Sequence, residues 1–255
     1  MATRIDLNAD LGESFGAWSL GADEAVLAHV TSANVACGFH AGDPSVMDRT
    51  VALAVRERVA IGAHPGYYDL RGFGRREIAA DPAEVEADVL YQAGALEAFV
   101  RSHGARLRHV KPHGALYNQA ARDEALARAV ARGVARLGRG LSLVGLAGSA
   151  ALRACAAAEG LRFAAEAFVD RAYDRQGQLV PRSHPGALVS DPAAAAERAV
   201  RLARDGIVVS IEGRALEVAA ETLCLHGDGP QALAIARAVR EALEAAGVRV
   251  EALAA

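Results

Sequence analysis

Apolar and polar residues alternate over residues 5–10, and the pattern breaks at Gly12. A period of two marks a β-strand, and this one ends in Asp10, Glu13 and Ser14. The design recurs. Residues 31–36 predict a second strand running into Cys37-Gly38-Phe39-His40, and residues 59–63 a third ending in His64-Pro65-Gly66-Tyr67. Residues 107–111 predict a fourth, which stops at Lys111-Pro112-His113. Its proline fixes its own φ and holds the residue before it extended. Residues 141–146 and 162–165 predict strands five and six, the latter ending at Glu166. Residues 222–225 predict the last core strand, ending at His226-Gly227-Asp228. Residues 207–211 and 215–218 flank Glu212-Gly213-Arg214 and predict a hairpin.

Helical patterns fill the gaps: 22–30, 44–58, 84–102, 115–137 as one or two helices, 149–158, 192–204 and 231–246. Asp43-Pro44, Asp81-Pro82 and Asp191-Pro192 each pair a capping carboxylate with a proline suited to the first helical turn. The sum is about seven strands alternating with helices, roughly 35 residues per βα unit, with no linker or composition shift. A dinucleotide-binding sheet would need a glycine-rich turn after the first strand. Here nearly every strand ends in polar groups instead. A barrel gathers all strand ends at one mouth, whereas an open sheet has a single crevice. The expectation is α/β: one catalytic domain over residues 1–255, a seven-stranded (β/α) barrel resembling a TIM barrel.

Composition narrows the setting. Hydrophobic residues at 52% and charged residues at 23% suit a globular protein with a large core. A net charge of −3 gives no reason to expect nucleic acid or an anionic membrane as partner. Cys37, Cys155 and Cys224 form no CxxC pair and fit a reducing cytoplasm. Neither a signal-peptide pattern nor an apolar run of membrane-spanning length is visible, so a cytoplasmic location is expected. Among 28 Lys+Arg, Lys111 is the only lysine, and it stands at a strand end.

The candidate chemistry sits at those ends. His40, His64, His113 and His226 each follow a predicted strand, whereas His29, His103 and His109 fall in helical or mid-strand positions and read as structural or solvated. An acidic residue with two histidines from different strands can hold a divalent metal with open positions, and Asp10, His64 and His113 would form that set. The same groups could instead act as acid and base on an organic substrate. Lys111 could hold an oxyanion. Arg71, Arg75, Arg171 and Arg175 lie in two polar loops, and arginine forks suit carboxylate or phosphate. No phosphate-binding loop of the GxxxxGK[ST] type and no GxSxG elbow occurs.

Seven stretches resemble the LamB/YcsF family: residues 6–16, 32–44, 62–67, 69–75, 110–118, 166–173 and 224–228, with no position that departs from its pattern. The resemblance implies a seven-stranded barrel similar to the carbohydrate deacetylase superfamily. It also implies a 5-oxoprolinase activity, the ATP-dependent opening of 5-oxo-L-proline to L-glutamate, in a complex with subunits B and C. The missing phosphate loop fits ATP being handled with those partners. On this resemblance Asp10 or Glu13 is expected as general base, Lys111 and His40 as electrophilic groups, and Glu166 and Asp228 as orienting carboxylates. Asn8, Arg71, Arg75, Tyr117, Arg171, Arg175 and His226 are expected to bind substrate, with Asp10, His64 and His113 as the metal set. The alternatives are a stand-alone metal-dependent deacetylase or amidohydrolase acting on a sugar or another lactam, and a non-catalytic scaffold. Six polar strand ends around one mouth weigh against the scaffold.

Overall fold

A computed structural model describes residues 3–226, 229 and 231–254. In chain order the elements are β1 (Arg4–Leu11), α1 (Asp23–Leu27), β2 (Ser32–Ala36), α2 (Pro44–Arg56), β3 (Ala60–His64), α3 (Pro82–Ser102), β4 (Leu107–Val110), α4 (Gly114–Ala120) and α5 (Glu124–Ala135). They continue with β5 (Ser142–Leu146), α6 (Ala150–Ala158), β6 (Arg162–Phe168), α7 (Pro192–Asp205), β7 (Ile207–Val209), β8 (Ala215–Glu217), β9 (Thr222–His226), α8 (Ala232–Ala245) and β10 (Arg249–Val250). Strands β1-β2-β3-β4-β5-β6-β9 pair in parallel, and β9 pairs back onto β1. The sheet is therefore a closed seven-stranded barrel, and β7–β8 form a separate antiparallel hairpin.

The three Asp-Pro sequences start helices as their chemistry requires. Asp43, Asp81 and Asp191 accept hydrogen bonds from the backbone N–H of Val46, Ala83 and Ala193. The 115–137 pattern is two helices, because Asp123 caps a new start by accepting from Ala125 and Leu126. Strand β6 runs on to Phe168, three residues past its predicted end, since Glu166, Ala167 and Phe168 pair with Thr222, Leu223 and Cys224. The two-residue β10 has no periodicity to announce it. It lies on the β2 side of β1, where Arg249 N donates to Thr3 O and Glu251 N to Ile5 O.

Residues 5–11 are buried on both faces. Leu7, Ala9 and Leu11 belong to the apolar core that the helices cover. Asp6, Asn8 and Asp10 point the other way, into the lumen, as bonds between strands that are not neighbours show. Asn8 Nδ2 on β1 donates to Glu166 Oε1 on β6 (3.0 Å), and His109 Nε2 on β4 to Asn34 Oδ1 on β2 (2.7 Å). Asn34 in turn donates to Asn8 and Asp10, while Asp6 accepts from the hydroxyls of Thr31, Ser32 and Thr222. Barrels of this type usually fill the lumen with branched apolar side chains. Here a hydrogen-bonded polar network fills much of it.

That lumen makes two measurable demands. A Cβ on Gly62 would sit 2.0 Å from His109 Nε2, so Gly62→Ala should cost about 3 kcal/mol or more in urea unfolding. Burial pushes the His109 imidazole down to about 3, whereas an unfolded-chain histidine titrates near about 6.5. Below that value the unfolded chain takes up a proton that the fold excludes. The stabilisation from neutral His109 is complete above about pH 6.5 and falls by about 1.4 kcal/mol per pH unit on acidification. The loss from this one group between pH 6.5 and 5 is about 2 kcal/mol, and His109→Gln should flatten the curve by that amount.

Candidate active site

The C-terminal ends of the strands surround a cavity of about 380 Å³. Its floor carries Asp10, His64, Lys111, His113 and His226, and its walls carry Arg75, Arg122, Arg171 and Arg182 with Tyr117 and Phe168. The loop over residues 69–75 is held close to the start of α4, where Ala115 N donates to Gly74 O (2.9 Å). Gly114 has φ +54°, and a Cβ there would lie 2.5 Å from that same oxygen, so only glycine fits.

Lys111 is the hub of the floor. Its Nζ lies 2.9 Å from Glu166 Oε1, 3.0 Å from Asp10 Oδ1 and 3.0 Å from Cys224 Sγ. Burial opposes the ammonium charge, but Asp10, Cys224 and Glu166 outweigh it and hold its pKa well above the usual lysine range. Asp10 responds in the opposite sense. Against the effect of its own burial, His64 and Lys111 keep its carboxyl well below the ordinary value. The Tyr117 hydroxyl is pushed well up by burial and by the neighbouring Glu166 charge, so it stands by as a neutral donor.

His226 belongs to a dyad. Its Nδ1 lies 2.9 Å from Asp170 Oδ2, and its backbone N–H donates to the same carboxylate at 2.8 Å. Burial works against the Asp170 charge, but contacts with His226 bring its carboxyl below the ordinary carboxylate range. An ionised carboxylate accepts only, so Nδ1 carries hydrogen and Nε2 is left as a base facing the cavity. The ring stacks on Phe168 with centroids 5.8 Å apart.

The LamB/YcsF family model matches residues 5–255. The chain belongs to the LamB/YcsF family. A relative from Syntrophobacter fumaroxidans, named as the A component of 5-oxoprolinase, is 55% identical over 252 residues and 99% of both chains. A crystal structure of a lactam utilization protein from Thermus thermophilus is 53% identical, with a TM-score of 0.92 over 98% of this chain and 100% of that one. A family 4 carbohydrate esterase from Streptomyces lividans covers 99% of this chain and 93% of its own at 12% identity and a TM-score of 0.47. That similarity is too remote to bear on chemistry.

In this LamB/YcsF member the expected site residues divide into groups. Asp10, His64, Lys111, His113, Tyr117, His226, Arg75 and Arg171 line the cavity. Glu13 and His40 are buried behind His113. Glu166 and Asn8 lie beneath Lys111. Asn8 is 1% exposed and donates to Glu166 and Thr222, so it braces the floor and is not placed to bind substrate. Arg71 is exposed and outside the lining, and Arg175 lines a separate depression with Arg153 and Arg214. Asp228 lies outside the described residues. Sequence reasoning misses Asp170, because ending strand six at Glu166 leaves it in an undivided polar loop. Its position two residues beyond the strand's true end is the available signal. Among the described residues no helix is long and apolar enough to cross a membrane.

Proposed function

We propose that this chain is the lactam-handling member of an ATP-dependent 5-oxoprolinase, converting 5-oxo-L-proline to L-glutamate with subunits B and C. The observation that carries this reading is the charge layout of the cavity. Arginines wall a space larger than a five-membered ring acid needs, above a floor with one locked ammonium and one oriented imidazole. Such walls suit a carboxylate and a phosphate together. The names of its relatives point to the same ring and to partner subunits.

A lactam is a poor electrophile. Phosphorylating its oxygen with ATP, a step assigned to the partners because this chain has no phosphate loop, activates the ring carbon. Water then adds to that carbon while His226 Nε2 takes its proton, and Asp170 steadies the imidazolium. His226 replaces Asp10 and Glu13 as the proposed base. His64 and Lys111 hold the Asp10 carboxyl well below its ordinary value, which makes it a weak proton acceptor, and Glu13 is buried behind His113. The same proton returns to the ring nitrogen as the C–N bond breaks, leaving a γ-glutamyl phosphate. A second water releases phosphate and L-glutamate.

In this reading the Lys111 ammonium stabilises the oxyanion. Of its contacts, Cys224 Sγ is the weakest acceptor, so that N–H is the one most readily redirected. The test is 5-oxoproline-dependent glutamate release, with and without ATP and the two partners. Release requiring all components supports the proposal, while amide hydrolysis by the chain alone without ATP would point to the stand-alone amidohydrolase.

A further inference from the structure

Beside the cavity, a depression of about 350 Å³ lies between the β7–β8 hairpin, α6 and the turn at residues 174–178. Side chains attach the hairpin to the barrel: Val208 is 1% exposed and joins the apolar core, against which Leu216 and Val218 pack. Its backbone is less complete. β8 pairs with β7 and with no other strand. Val218 N donates to Gly206 O and Ser210 N to Arg214 O, and antiparallel pairing alternates bonded and unbonded pairs. Ala215 and Glu217 therefore turn their N–H and C=O groups away from β7. Among the described residues none of these groups meets a partner. The depression is lined by β8 and not by β7, so the open edge faces it. A two-stranded ribbon is marginal by itself, and a free strand edge is a template for a further strand.

The depression is also charged. Arg153 from α6, Arg175 from the turn and Arg214 beside β8 line it, with Glu217 the single acid. None of the three arginines has a carboxylate partner among the described residues. The Arg153 guanidinium rests its face on the Phe163 ring, 4.6 Å from the centroid, which leaves its N–H edge unspent. Arg175 sits on a turn that Asp174 holds by accepting from the N–H of Gln176 and Gln178, each at 2.9 Å. Ile211, 42% exposed, stands at the border, where its N–H donates to Tyr173 O. Arginine forks beside an open β-edge suit carboxylates carried on an extended backbone.

We propose that an extended acidic segment of a partner subunit docks in this depression as a third strand on β8. Its main chain bonds Ala215 and Glu217, and its carboxylates meet Arg153, Arg175 and Arg214. Like charges opposite each other are unfavourable, so the segment has no acid facing Glu217, which sets its register. Naming the partner as a subunit of the same enzyme rests on the function proposed above; the open edge and the arginines do not. One loop separates the two spaces: residues 175–177 line the depression, and Gln178, Leu179 and Arg182 line the cavity. A segment held here brings its subunit to the cavity wall, where an activated ring is to be handed over.

The test is to mix the purified full-length chain with the two purified partner subunits, reading affinity by calorimetry and amide hydrogen exchange at Ala215 and Glu217. Both amides are expected to slow by at least about 10-fold on mixing. Arg153→Glu combined with Arg214→Glu should weaken binding by at least about 10-fold and flatten its dependence on salt. Ala215→Pro, which deletes an outward N–H, should weaken binding likewise. If Ala215→Pro fails to fold, by circular dichroism, the arginine pair and the exchange carry the comparison. Partners that bind the wild type and both variants alike, with exchange unchanged, would overturn the docking edge and leave the proposed function standing. Partners that do not bind the wild type would overturn the edge, and, with glutamate release also absent, the function too. Slowing of both amides as the chain alone is concentrated would assign the edge to a second copy and overturn the partner.

Discussion

Lys111→Met should abolish glutamate release in the reconstituted complex, by at least about three orders of magnitude, and destabilise the chain by about 3–5 kcal/mol. Both effects follow from the position of its ammonium. Lys111 is 2% exposed and stands between Asp10 and Glu166, which are 5% and 0% exposed. Removing it leaves two carboxylates in the lumen without their counter-charge, and Glu166 Oε2 already has no hydrogen-bond partner. The stability loss should be recovered in large part by adding Glu166→Gln, which removes one orphaned charge, while activity should stay lost. Lys111→Arg should rescue neither, since a planar fork cannot replace a compact ammonium among two carboxylates and a thiol. Urea unfolding separates the two effects. If the double variant regains turnover, Lys111 serves only to neutralise Glu166, and its proposed role at the oxyanion is wrong.

Lys111 also shows how far sequence carries. A lone lysine at a strand end is conspicuous from composition and position alone, and the structure places it on the cavity floor. The strands are legible because period-two runs stop abruptly at glycine, proline and charged residues. The meaning of the alternation at Asp6, Asn8 and Asp10 is not. A period of two says that a strand has two faces, but not which of them meets water. In this barrel neither does, so polar residues that suggest a solvated face form the lumen network. Asn8 is one of them, 1% exposed and bonded to Glu166 and Thr222 beneath Lys111.

Loops are least legible. Arg71, Arg75, Arg171 and Arg175 look equivalent in sequence, since irregular segments carry no periodicity to orient side chains. Packing separates them: Gly74 against Gly114 draws Arg75 to the cavity and leaves Arg71 outside. Likewise Asp123 splits a continuous helical pattern only because its carboxylate finds two backbone N–H groups.

Among those arginines, Arg171→Met should raise KM for 5-oxoproline by roughly 10²–10⁴-fold with little change in kcat. Arg171 is 5% exposed and lines the cavity. Its Nη2 donates to the Val180 carbonyl at 2.7 Å, and its Nε has no hydrogen-bond partner. Burial, with Arg182 close by, pushes the guanidinium down to about 10, so it is still charged at neutral pH. A buried cation with an unspent N–H is costly to the fold and well suited to an anionic ligand. Two charge-assisted bonds to the substrate carboxylate, at about 1.5–3 kcal/mol each, set the expected range. Because a carboxylate remote from the ring carbon does not change charge during the reaction, the loss should fall on KM. Lys at this position should not restore the fork geometry. Melting temperature should hold or rise, since the variant removes a desolvated charge. With 2-pyrrolidinone, the same ring without the carboxylate, wild type and variant should bind equally. A fall in kcat at unchanged KM would instead assign Arg171 to the phosphate, where charge develops as the ring opens.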